Sequence, residues 1–417
     1  MQTSMMLEFP VDEYEARIAK LIAGMQKYGF DAVLLSSKEN TRYFSGLQSI
    51  VWDSKIAVPG LLVVTANGDM TIVSSTSNQP TVKVTSCLEP DRLLAYTRTK
   101  EPGFPDTFPK AIAYALEKFK VSGGRIGMEI GTGFRVSMSY ADQKALFSLI
   151  PDAEIADAAQ LLWEIRRVKS PREIEVMREV CRINVASYKK GFESIVCGKT
   201  TEEELYRIMC AESFLQGAEN ILPLGIRCGR ERYPQGNCPP SNRVIGKEPG
   251  EMMLVDGGPC YKGYYSDIIR QAVSGKPTDR QQMMYDIAVE GNNLGLSVIK
   301  AGIPASEVCR IVDGFFSSKG MDPYNRCKGW MGHGVGLDVH ELPTLSMDCD
   351  VILEPGMVMA LEPELFDAEI GVFGIEQNFV VTETGCELLT PAPADVRIYM
   401  MNRRPPQSGG MGGTSND

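Results

Sequence analysis

The chain has 417 residues, a formal net charge of −10 at neutral pH, 43% hydrophobic residues and 23% charged residues. That length suffices for two buried cores, and the composition is that of an ordinary globular protein. An acidic balance without a dense basic cluster excludes a nucleic-acid footprint, and no apolar run reaches the roughly 20 residues that a membrane helix needs.

The N-terminus lacks a basic region followed by an apolar one, so a cytosolic protein is expected. Residues near 12–30 have helical apolar spacing, with Asp12 near the start and Gly29 near the end. Ala32-Val33-Leu34-Leu35 reads as a buried strand. Leu61 to Thr65, the turn Asn67-Gly68-Asp69 and Thr71 to Val73 read as a hairpin. An amphipathic stretch from Phe108 to Phe119 and a short strand at Arg125-Ile126-Gly127-Met128 complete an α/β pattern. Ser170, Pro171 and Glu173 supply an N-cap, a first-turn proline and a capping glutamate for a helix running to about Lys190. Thr201 and Glu204 belong to a second capping signal, for a helix ending near Gly217. These signals predict a domain over 1–165, a second over 166–403 and a disordered tail over 404–417. Eleven cysteines without C-x-x-C spacing read as reduced, mostly buried small hydrophobes, which argues against a cysteine zinc site.

Chemistry concentrates in the second half. The two histidines of the chain, His333 and His340, lie seven positions apart in the glycine-rich stretch Gly332 to Glu341. Four acids interrupt apolar, strand-like runs: Asp256 after Met252-Met253-Leu254-Val255, Asp267 after Tyr264-Tyr265-Ser266, Glu362 after Val358-Met359-Ala360-Leu361, and Glu376 after Gly371 to Ile375. A carboxylate in such surroundings is costly unless paired with a cation. Pairing with Arg270 or Lys262 is one solution, and divalent metal is the other. Carboxylate oxygens with one imidazole suit two ions such as Mn, Co, Fe or Zn.

These motifs are V-D-x-G, G-Y-x-S-D-x-x-R, G-H-G-V-G-L-x-x-H-E, L-E-P, and I-E before a V-T-E-x-G turn. In this order and spacing, the chain resembles the pita-bread metallopeptidase family of methionine aminopeptidase, Xaa-Pro aminopeptidase, prolidase and creatinase. The segment Asn40 to Gly46 resembles the N-terminal domain of the creatinase and prolidase branch. The resemblance implies an α+β protein, with a pita-bread catalytic domain preceded by a smaller α/β domain, and a homodimer. It implies that Asp256 chelates one metal, that Asp267 and Glu376 bridge both, and that His333 and Glu362 hold the other. A bridging water would be the nucleophile, Glu362 its proton acceptor, and His340 a hydrogen-bond donor to the substrate carbonyl or oxyanion.

The chain departs from that pattern twice. Proline-specific relatives carry a third histidine shortly before a P-S-[DN]-R phrase; here the phrase is Pro240-Ser241-Asn242-Arg243, and Asn237 takes the histidine position. Where an arginine precedes the last metal glutamate by two residues, this chain has Gly374. The expected activity is hydrolysis of a C–N bond, foremost in an Xaa-Pro dipeptide or peptide. Asn237 and Gly374 motivate an alternative: the same metals acting on a small non-peptide molecule, as in creatinase-like or ectoine hydrolase-like amidohydrolases or a sulfoniopropionate lyase. A third reading is a binding protein on an inactive enzyme fold, which the complete ligand set opposes. Arg227, Arg230 and Arg232 either replace the missing positive charge or lie in a solvated loop. Trp52, Trp163 and Trp330 are expected in the core, with Trp330 singled out by its nearness to His333.

Overall fold

The computed structural model describes residues 1–4, 6–54, 58–97, 99, 102, 105–222, 224–229, 238–321, 329–390 and, for the backbone, 399–401. Asn237, Arg230, Arg232 and the tail after Arg403 lie outside the described residues. The chain forms two compact units, Met1–Arg166 and Arg167–Asp417.

The first unit is built on a mixed sheet of β1 (Ala32–Leu35), β2 (Leu61–Thr65), β3 (Met70–Ser75), β4 (Leu93–Tyr96), β5 (Arg125–Met128) and β6 (Glu154–Asp157), in the order β4-β3-β2-β1-β5-β6. The expected hairpin is the antiparallel pair β2–β3, whose turn places Gly68 at φ 88°. Strands β1, β5 and β6 run parallel. The helices are α1 (Val11–Tyr28), α2 (Lys38–Ser45), α3 (Gln79–Thr85), α4 (Phe108–Lys118), α5 (Tyr140–Leu149) and α6 (Ala159–Arg166). Helix α1 buries Tyr14, Ile18, Leu21 and Met25 along one stripe and stops where Gly29 turns left-handed at φ 70°. Helix α4 packs Ala111, Ile112, Ala115 and Leu116 onto Leu34, Val63 and Ile126 of the sheet.

The second unit begins with α7 (Pro171–Ser194) and α8 (Glu202–Leu215), and both carry the reciprocal capping box that Ser170–Glu173 and Thr201–Glu204 announce. There follow β7 (Asn220–Ile221), β8 (Gly225–Cys228), β9 (Met252–Gly257), β10 (Pro259–Tyr261), β11 (Tyr264–Tyr265) and β12 (Ile268–Ser274). Next come α9 (Asp279–Val298), α10 (Ala305–Ser318), β13 (Trp330–Gly334), β14 (Glu341–Ser346), β15 (Val358–Leu361), β16 (Glu364–Asp367), β17 (Gly371–Gly374), β18 (Gln377–Val381), β19 (Cys386–Leu388) and β20 (Tyr399–Met401).

Two helix pairs face two sheets. Alternation along β9 and β12 sends Met253, Val255, Ile268 and Ala272 into a core with Tyr188, Phe192, Leu205 and Met209 of α7 and α8. The opposite face, with Met252, Leu254, Ile269 and Val273, joins Met284, Val312 and Phe316 of α9 and α10 and the sheet ordered β14-β13-β15-β18-β19. Asp256 lies two residues past Leu254, on that second face, at the strand end. Among the described residues, ten cysteines are free; five are buried and five half-buried, so burial is less general than expected. Among the described residues no helix is long and apolar enough to cross a membrane.

Candidate metal centre

The two sheets meet where several strands end, and the acids in the apolar runs occupy those ends. Asp256 pairs with Ile269 across β9–β12, Asp267 immediately precedes β12, Glu362 follows β15, and Glu376 sits between β17 and β18. The Glu362 amide donates to Met331 O at 2.8 Å, which ties the end of β15 to β13. Asn292 of α9 donates to Leu361 O at 2.8 Å and to Ile375 O at 3.1 Å, holding the residues just before Glu362 and Glu376. Asn378 clasps Asp267 through both backbone groups, accepting from its amide at 3.0 Å and donating to its carbonyl at 2.6 Å. Arg270 donates to Ile269 O, Glu376 O and the Gln377 side chain. It thus braces the backbone on both sides of the cluster. Lys262 lies in a turn over the Tyr261 ring.

His333 enters from β13, whose glycines permit a close approach. A Cβ on Gly332 would lie 2.1 Å from Ala360 O, so no side chain fits there without moving β15. His333 Nδ1 is 2.9 Å from Gly334 O. A carbonyl can only accept, so Nδ1 carries the proton and Nε2 presents a lone pair. That lone pair faces Glu362 Oε1 at 3.0 Å, Glu376 Oε1 at 3.7 Å and Asp267 Oδ2 at 3.9 Å.

The sets His333–Glu362–Glu376 and Asp256–Asp267–Glu376 each bring potential ligand atoms within 4.8 Å of one another, and share Glu376. Asp267 Oδ1, His333 Nε2 and both Glu376 carboxylate oxygens are buried with no hydrogen-bond partner among the described residues. Two like charges about 4 Å apart repel by about 4 kcal/mol at an effective dielectric constant of about 20. A lone pair and several carboxylates aimed at a shared centre fit divalent cations and little else.

The electrostatics carry the same signature. Burial, then Asp256 and Glu362, pushes Asp267 well above the usual carboxylate range. Burial, then Asp267, Glu362 and Asp256, does the same to Glu376, with Arg270 opposing. Burial lowers His333 from 6.5 to about 4, which keeps it neutral and ligand-competent at neutral pH. His333 therefore contributes stability that is complete above 6.5 and lost as pH falls through about 4. Asp267 and Glu376 act oppositely: the folded chain retains protons that the unfolded chain has released, so metal-free stability falls as pH rises. Above 6.5 the histidine contribution is flat and the carboxylates set the slope. Asp267 and Glu376 are expected to make the thermal midpoint of metal-stripped protein fall as pH rises above the ordinary carboxylate range, and added Mn is expected to reduce that fall, because cations displace the retained protons. A midpoint that does not fall over this range without metal would contradict the crowding.

His340 stands apart from the buried set. Its ring lies 4.2 Å from that of His333 in an edge-on arrangement, but it is exposed. Burial of its ring and then His333 pull it below the usual histidine range. Trp330, expected in the core, is half-buried instead and stacks on His333 at 5.7 Å with an interplanar angle of 16°. Trp163 is buried as expected, whereas Trp52 is half-buried. Glu341, the last residue of the histidine motif, serves the loop. It pairs with Lys169 at 2.9 Å, both buried, and accepts from the amides of Leu337 and Asp338. Removing one member of such a pair costs about 3–5 kcal/mol.

One of the two departures acquires a physical form. A Cβ on Gly374 would meet Glu364 Cγ at 2.8 Å, so buried Glu364 fills the space that a larger side chain would need. Arg227 belongs to β8 and is buried, so the solvated-loop reading fails for it.

Comparison with known proteins agrees over both units. Residues 175–383 match metallopeptidase family M24, and residues 17–168 match the creatinase/prolidase N-terminal domain. An Xaa-Pro dipeptidase of Pyrococcus horikoshii is 27% identical over 385 residues, which span 91% of this chain and 98% of that protein. An uncharacterized peptidase of Bacillus subtilis is 28% identical over 92% of this chain and 99% of its own length. The crystal structure of the prolidase from Pyrococcus horikoshii superposes with a TM-score of 0.76 at 25% identity, covering 92% of this chain and all of that one.

Proposed function

Since the chain belongs to metallopeptidase family M24 and is a metal-dependent hydrolase, we propose that it cleaves Xaa-Pro dipeptides with two divalent ions. In this reading Asp256, Asp267, His333, Glu362 and Glu376 hold the ions, and residues 166–403 form the catalytic domain, preceded in sequence by a smaller domain over 1–165. The observation that carries it is the neutral His333 Nε2 lone pair aimed at Glu362, Glu376 and Asp267. The nine-tenths coverage of an Xaa-Pro dipeptidase supports the substrate class over the small non-peptide alternative. The family resemblance also supports a homodimer, and the free cysteines support a cytosolic setting.

Divalent ions at such a site supply Lewis acidity and make water a nucleophile near neutral pH. Glu362, the least enclosed of the acids around His333, accepts the proton released as water attacks the scissile carbonyl. The same carboxyl then returns that proton to the departing proline nitrogen. His340, exposed beside the cluster, donates its imidazole N–H to the substrate carbonyl oxygen as negative charge develops there. Glu341 and Lys169 fix the loop that carries His340. Asn292, Asn378 and Arg270 keep the acids in place while their charge is redistributed.

Release of proline from a panel of Xaa-Pro dipeptides by Mn-loaded or Co-loaded protein, alongside small amides and ureas, tests the proposal. Turnover of the dipeptides is expected. Turnover confined to the small amides or ureas would sink the peptidase reading.

A further inference from the structure

Two helices of the second unit reach the ligand-bearing segments through buried side-chain amides, and each amide joins two segments. Asn184 of α7 donates through Nδ2 to Gly257 O at 3.2 Å and to Ser266 Oγ at 3.1 Å. Gly257 follows Asp256 and Ser266 precedes Asp267, so one amide ties together both acids of one candidate set. Asn292 of α9 does the same for the other set. Its two donor bonds end on the carbonyls immediately before Glu362 and Glu376. Both asparagines are buried.

Packing alone does not account for either residue. The Gly257 carbonyl can only accept, so it fixes which end of the Asn184 amide faces the ligand segments. Asn184 Oδ1 is then buried with no hydrogen-bond partner among the described residues. An unmet buried acceptor is costly, and a leucine of similar size would avoid that cost. Glycines admit both amides. A Cβ on Gly258 would lie 2.4 Å from Asn184 Nδ2, and one on Gly295, a turn along α9 from Asn292, would lie 2.7 Å from Leu361 Cδ2. A primary amide carries two hydrogens on one rigid plane and therefore sets the separation of its two acceptors. That separation matters here, because carboxylates crowded together repel and would otherwise move apart before an ion arrives.

We propose that Asn184 and Asn292 are positioning residues divided between the two ions. Asn184 sets the spacing of Asp256 and Asp267, and Asn292 sets that of Glu362 and Glu376. The proposal rests on the two-ion reading above. Glu376 belongs to both sets, but Arg270 also donates to its carbonyl, at 2.7 Å, so this shared ligand keeps a support when Asn292 is lost. The effect of each amide then falls on its own ion.

Calorimetric titration of Mn into metal-stripped full-length protein tests it, comparing native protein with Asn184→Leu, Asn292→Leu, Asn184→Ser and Asn292→Ser. Native protein should take up two ions in two steps. Each leucine variant should weaken one step roughly 10- to 100-fold and leave the other near native, and the weakened step should differ between the two variants. The serine variants, whose hydroxyls have a single hydrogen, should fall between native and leucine. They carry the comparison if a leucine variant does not fold. Weakening of the same step by both asparagine changes, or equal weakening of both steps, would overturn the proposal. Native affinities with only a lowered thermal midpoint would overturn it too, leaving the asparagines as packing residues. Native protein that binds fewer than two ions would sink the two-ion reading, and the proposal with it.

Discussion

Asp267→Asn and His333→Ala are each expected to abolish hydrolysis by losing metal, while the fold persists. Asp267 belongs to the set with Asp256 and Glu376, and His333 to the set with Glu362 and Glu376. Removing either breaks a cluster in which Asp267 Oδ1, His333 Nε2 and both Glu376 carboxylate oxygens have no hydrogen-bond partner among the described residues. The two substitutions differ in what they do to the metal-free protein. Asp267 is pushed above its ordinary range by burial and then by Asp256 and Glu362, so its ionisation opposes folding. Replacing it with a neutral isostere relieves that repulsion. Metal-free Asp267→Asn should therefore be at least as stable as metal-free native protein near pH 8 and should gain little from Mn. His333→Ala leaves the carboxylates crowded and opens a cavity, so it should be less stable than native protein without metal. Thermal melts with and without Mn distinguish the two. A metal-free Asp267→Asn protein clearly less stable than native would show that the carboxylate contributes through another partner.

His340→Ala is expected to lower kcat by about 10²–10³-fold while leaving metal content unchanged. The argument is positional. The ring sits 4.2 Å from His333, at the exposed edge of an otherwise buried cluster. It is well placed to meet substrate from solvent, and its loss removes a donor that matters most when the carbonyl oxygen becomes negative. A loss of transition-state stabilisation should lower kcat and kcat/KM together. Loss of metal on the scale of His333→Ala would assign His340 to the ligand set, which the trio Asp267, His333 and His340 makes geometrically conceivable.

Much of this is legible in the sequence. A buried acid that interrupts an apolar run is conspicuous in one dimension, and strand periodicity already places Asp256 on the face of Met252 and Leu254. The capping boxes at Ser170 and Thr201 are local and fold as read. Contacts between distant segments were not readable. Lys169 and Glu341 are 172 positions apart, and nothing near either announces the pair. Gly374 reads in the sequence only as a missing arginine; Glu364 lies opposite it across β16 and β17, with its Cγ 2.8 Å from where a Cβ would stand. Arg227 sits in the short strand Gly-Ile-Arg-Cys, ahead of further arginines, where a loop was an equally good reading; pairing with β9 buries it. Trp330, expected in the core, is half-buried against His333 instead, because both environments accept an aromatic ring. Helices such as α2 and α6 span eight residues, too few turns for periodicity to stand out.

The most direct test of the central claim is elemental analysis of the native protein after loading with Mn and removal of excess ion, paired with its thermal midpoint. The account predicts two ions per chain and a midpoint that rises on loading. Fewer than one ion per chain, with a midpoint indifferent to Mn, would contradict it.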